Sequence, residues 1–81
     1  MTPSAFRSAL DRFAKRRPFK PFVIELMTGQ RLTVRHPEAV EFGRTLAAFI
    51  APTRHVRLFD SFSVCQLLET EEQPPIDLRD E

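Results

Sequence analysis

The chain has no tryptophan, no tyrosine and no asparagine, and it carries one cysteine and two glycines in 81 residues. Each shortage removes a class of protein. A lone cysteine, Cys65, leaves no internal disulfide framework. Gly29 and Gly43 by themselves cannot form a glycine-rich phosphate loop, so nucleotide binding by that device is excluded. No apolar run approaches the ~20 residues needed to span a bilayer. The N-terminus lacks the apolar stretch of a secretory signal. A reducing, cytoplasmic setting without membrane contact is therefore the expectation. His36, His55 and Cys65 are the candidate nitrogen and sulfur ligands, in no recognised zinc spacing, so neither a metal nor a cofactor is expected.

What remains is ordinary globular material, with 42% hydrophobic and 28% charged residues. The length allows one small domain. A core of this size supplies only ~3–5 kcal/mol by itself, so support from a partner or from oligomerisation is expected. All aromatic character resides in eight phenylalanines, which lack the polar handle favoured at binding surfaces and so point to packing. Cys65 lies in an apolar run and reads as a small buried hydrophobe, with no neighbouring base to make it a nucleophile. Glu38 and Glu41 read as surface charge. No catalytic residue is assigned, and the chain is not expected to be an enzyme.

Along the chain, Thr2-Pro3 offers a capping hydroxyl and a proline suited to the first helical turn. Phe6, Ala9, Leu10 and Phe13 then form one stripe at helical period, which predicts a helix over residues 3–16, closed by Pro18. From Phe22 the period becomes two. A two-residue loop at Thr28-Gly29 would mix apolar and polar faces. A three-residue loop, Met27-Thr28-Gly29 with Gly29 left-handed, places Ile24 opposite Leu32, Phe22 opposite Val34 and Glu25 opposite Arg31. This register predicts that Phe22, Ile24, Leu26, Leu32 and Val34 share the buried face. Pro37 must interrupt the ladder. Ala39–Phe42 has room for a short strand turning at Gly43-Arg44. Thr45–Ile50, His55–Phe59 and Val64–Glu69 follow as strands, with Asp60–Ser63 as a tight corner of 3₁₀ character. Val56 and Leu58 face opposite to Arg57. The predicted fold is mainly β: an N-terminal α-helix followed by a five-stranded, strongly bent Sm-like or SH3-like barrel, within a single domain over residues 1–69. Residues 70–81, acidic and with paired prolines, are expected to form a mobile tail.

Arg17-Pro18-Phe19-Lys20-Pro21-Phe22, a glycine turn, His36-Pro37-Glu38 and Gly43-Arg44-Thr45 together resemble a group of small uncharacterised bacterial proteins of about this length. The resemblance covers roughly residues 5–69. Thr28-Gly29-Gln30 stands where an Asp-Gly-Arg turn is usual in that group. The group implies no activity. The order of helix, strands and glycine turn is also similar to the Sm-like fold of RNA-binding rings, which implies a homo-oligomer formed by edge strands. The RNA-contact signatures of that fold are missing: there is no asparagine, and the corner before the last strand reads Asp60-Ser61 rather than a basic dipeptide.

Charge supplies the remaining lead. The net charge is +1, yet residues 1–20 hold six basic groups against Asp11, and residues 69–81 hold six acidic groups against Arg79. Arg12, Lys15, Arg16, Arg17 and Lys20, interleaved with Phe13 and Phe19, are the candidate nucleic-acid or partner contacts. The same cations also suit the carbonyl end of a helix dipole, where they need no ligand. The acidic tail could neutralise them. The expected function is a non-catalytic small β-barrel module for self-association or partner binding; the alternative is an Sm-like RNA-binding homo-oligomer.

Overall fold

A computed structural model describes residues 1–70. The chain runs α1 (Pro3–Ala14), β1 (Phe22–Leu26), β2 (Arg31–Val34), a 3₁₀ turn (Pro37–Ala39), β3 (Val40–Phe42), β4 (Leu46–Ile50), β5 (Val56–Asp60), a second 3₁₀ turn (Ser61–Ser63) and β6 (Val64–Glu69). The acidic tail predicted from residue 70 lies, apart from Thr70, outside the described residues.

Helix α1 begins as its sequence requires. Thr2 Oγ1 accepts from the Ala5 amide at 3.1 Å, and Pro3 occupies the first turn, where its missing N–H costs nothing. Phe6 and Leu10 are buried and Phe13 is half-buried, so the predicted stripe is the packed face. The helix stops at Ala14 rather than residue 16, with Lys15 donating its amide to Asp11 O at 3.0 Å as the cap. Arg7 ties the exposed side down: its Nη2 donates to the carbonyls of Phe42 and Gly43, and its guanidinium lies 4.8 Å from the centre of the Phe42 ring.

The β1–β2 hairpin has the predicted register, with Phe22 opposite Val34, Ile24 opposite Leu32 and Glu25 opposite Arg31. Gly29 is left-handed at φ 92°, and its amide closes the turn onto Leu26 O at 2.8 Å. All five residues assigned to the buried face are buried. On the other face Glu25 Oε2 accepts from Arg31 Nε at 3.2 Å, and Glu25 Oε1 accepts from Gln66 Nε2 at 2.6 Å.

Two features of the predicted barrel are corrected. Among the described residues there are six strands rather than five, because Ala39–Phe42 does form a strand over Val40–Phe42. They make two open three-stranded sheets, β2-β1-β6 and β3-β4-β5, instead of a closed barrel. The physical reason lies at the two crossings between sheets. Pro37 starts a 3₁₀ turn between β2 and β3, and Ser61–Ser63 makes another between β5 and β6. Each turn carries the chain over to the other sheet without continuing a ladder. Asp60 fastens the second crossing by accepting from the Ser63 amide at 3.0 Å and the Ser63 hydroxyl at 3.2 Å.

Cys65 is also corrected: it is exposed, not buried. Leu26 pairs with Val64 and Glu25 with Gln66, so Cys65 is the extra residue of a β-bulge, displaced from the inward alternation. In β5 the alternation holds, but Phe59 and the half-buried Arg57 take the inner face and leave Val56 and Leu58 outside.

Two outcomes test this account. Replacing Gly29→Ala should destabilise the chain by about 1 kcal/mol in urea denaturation, because open space surrounds the new Cβ and the cost is the left-handed backbone alone. Hydrogen bonds from Gln66 and then Arg31 hold the Glu25 carboxyl below its ordinary range. A lowered folded-state value means stability present above the ordinary glutamate value of about 4.3, lost as pH falls through the folded value. The stability difference between wild type and Glu25→Gln should therefore shrink below that pH, as followed by acid-series denaturation.

Candidate functional site

The five cations singled out in the sequence do gather around the end of α1, but the fold engages most of them internally. Lys15 pairs with Asp11 at 3.8 Å across one helical turn, with both side chains well exposed. Such a pair contributes only a few tenths of a kcal/mol, ~0.3–0.5. Arg16 is the most constrained. Its Nη1 lies 3.3 Å from Glu69 Oε2, its Nη2 donates to Lys20 O at 3.2 Å, and its guanidinium sits 4.8 Å from the centre of the Phe13 ring. Arg17 Nη1 donates to Arg16 O at 3.2 Å, and the Arg17–Pro18 peptide is cis.

The aromatics beside these cations are engaged as well. Phe13 packs on Phe22 with ring centres 5.2 Å apart, and Phe19 meets Phe22 at 6.2 Å. A base would need an open ring face to stack on. Phe13 is covered by Phe22 and by Arg16, so the interleaved pattern that suggested stacking is largely a packing pattern. Of the five, Arg12, Arg17 and Lys20 are exposed and their side chains meet no acidic group among the described residues.

A second surface carried no polar signal in the sequence. In β4, Ala47 and Phe49 point into the core, which sends Leu46, Ala48 and Ile50 outward. In β5, Val56 stands opposite Ile50, Leu58 opposite Ala48 and Asp60 opposite Leu46. Cross-strand partners share a face, so the outside of this sheet bears Leu46, Ile50, Val56 and Leu58 together. Their exposures are 52%, 44%, 61% and 61%. Scattered exposed aliphatics need no explanation, whereas a contiguous group on one sheet face does.

This face ends on β5, an edge strand. Among the described residues the other edge strands carry features that discourage pairing: β3 has three residues, β2 has four and is followed closely by Pro37, and β6 contains the Cys65 bulge. β5 has five consecutive strand residues with neither proline nor bulge.

The isolated chemical candidates do not converge on this surface or on one another. His36 caps the Pro37–Ala39 turn through its carbonyl, which accepts from the Ala39 amide at 3.0 Å, and its ring makes no capping bond. His55 Nδ1 lies 3.1 Å from Thr53 Oγ1 in the β4–β5 turn. Among the described residues no helix is long and apolar enough to cross a membrane.

The chain matches no family model, no curated protein and no solved structure.

The contrast between Arg16 and Arg12 is testable. Arg16→Ala should cost about 1 kcal/mol, combining a cation–π contact with a partly exposed ion pair. Arg12→Ala should stay within about 0.5 kcal/mol. Urea denaturation of both variants, compared at equal protein concentration, makes the measurement.

Proposed function

We propose that the chain is a non-catalytic module that associates with a second copy of itself through β5 and the outer face of the β4–β5 hairpin. The supporting observation is the conjunction at β5: among the described residues this five-residue edge strand without a bulge borders the exposed Leu46, Ile50, Val56 and Leu58. A second copy laid along β5 would continue the ladder and cover those aliphatics in one step. The need is supplied by size, since a domain this small gains little from its own core.

In this reading edge pairing between copies builds the assembly, in keeping with the homo-oligomer that the resemblance to Sm-like rings implies. The setting is cytoplasmic, where an exposed Cys65 thiol stays reduced. The runner-up is an RNA-binding homo-oligomer. Its support is the shallow depression lined by Arg12, Phe13, Arg16 and Glu69, with Arg12 exposed at its rim.

Light scattering or sedimentation over a concentration series decides the first reading. Wild type should associate in the micromolar range, and Leu58→Asp should return it to monomer while changing stability by no more than about 0.5 kcal/mol. A strict monomer at high micromolar concentration defeats it. Fluorescence anisotropy with mixed RNA at ~50 mM salt tests the runner-up, because phosphate contacts are strongest there.

A further inference from the structure

The chain makes the same three-residue turn twice. In the first, the Gly29 amide donates to Leu26 O at 2.8 Å and the Leu26 amide to Gln30 O at 2.8 Å. In the second, the Arg54 amide donates to Ala51 O at 2.8 Å and the Ala51 amide to His55 O at 2.9 Å. The third position is left-handed in both, with φ 92° at Gly29 and φ 72° at Arg54. Glycine takes that conformation freely, whereas a side chain brings its Cβ against backbone carbonyl oxygen. The first turn is thus an internal control for the second: residue 54 is an arginine where the identical geometry is met elsewhere in the chain by glycine. A disfavoured backbone state held by a long cationic side chain directs attention to what that side chain faces.

Arg54 lines a groove of about 450 Å³ formed where the end of β2, the Pro37–Ala39 turn and the end of β4 come together. The volume falls within the ~300–1,000 Å³ of small-molecule sites. Phe49, Ile50 and Pro52 give it an apolar wall, and among the described residues its charged lining is Arg35, Arg54 and Glu38. The Arg54 guanidinium beside an apolar wall matches an anion attached to a hydrocarbon body, the guanidinium fork being suited to carboxylate oxygens.

We propose that this groove binds a small organic carboxylate with a short apolar body, its charge met by Arg54. The site is separate from the self-association surface, apart from Ile50 at their common margin, and it uses a different chemistry.

Isothermal titration with octanoate, with octanol and inorganic phosphate as comparison probes, tests the proposal in wild type and two variants. Wild type should bind octanoate saturably and both comparison probes at least about tenfold more weakly, since each lacks one half of the recognised ligand. Arg54→Gly should raise Tm by a few degrees, because it relieves the turn, and should weaken octanoate at least about tenfold. Arg54→Lys should retain more affinity than Arg54→Gly without the gain in Tm. The proposal is overturned if wild type shows no saturable octanoate binding, if phosphate binds as well as octanoate, or if Arg54→Gly binds octanoate as tightly as wild type. A more stable variant that has lost the ligand cannot be explained by misfolding.

Discussion

The two sheets of this domain share no hydrogen-bonded ladder among the described residues, so their mutual position depends on side-chain packing. Phenylalanine rings of α1 do much of that work. Phe6, fully buried, meets the Phe42 ring edge-on at 4.8 Å and Phe59 at 6.1 Å, both in the β3-β4-β5 sheet. One stripe further along the same helix, Phe13 meets Phe22 in the other sheet. The helix is therefore a brace across the two sheets rather than a lid on one of them. Aromatic pairs of this geometry contribute ~0.5–1.5 kcal/mol each beyond their buried area. In a domain with so small a core, a few such contacts are a sizeable share of net stability. Phenylalanine suits the role because it brings no hydroxyl or indole N–H that would need a partner in the interior.

Local features of this arrangement were legible in the sequence, and features requiring distant partners were not. The hairpin register followed from the position of Gly29, the pairing of Glu25 with Arg31 and the gathering of five apolar residues on one face. The helix stripe and the 3₁₀ corner at Asp60–Ser63 were equally local. Closure was different, because it depends on whether two turns continue a ladder or leave it, and short strands give no sign of which. Cys65 reads as buried from its neighbours alone; only the pairing of β6 with β1 creates the bulge that exposes it.

The surface divides the same way. The cationic cluster was conspicuous in sequence, yet the partner of Arg16 is Glu69, at the far end of the described chain, and its stacking surface is a core-facing Phe13. Charges that look available in a linear reading are thus partly structural. The aliphatic face of β4 and β5 was inconspicuous for the opposite reason: alternating strands in a small domain have two faces, and only Ala47, Phe49 and Phe59 at the core decide which is outward. Arg54 was hidden more deeply still, since a left-handed arginine in a turn has no sequence signature comparable to glycine's.

The strand order β2-β1-β6 also has a consequence for how the chain is made. β1 is the central strand of its sheet, but one of its edges is filled only by residues 64–69. During synthesis, β1 and β2 leave the ribosome as a hairpin that cannot complete its sheet until nearly all the described chain has followed. For that interval the backbone of β1 has an open side. That late strand is the one whose arrival converts a sticky hairpin into a finished domain.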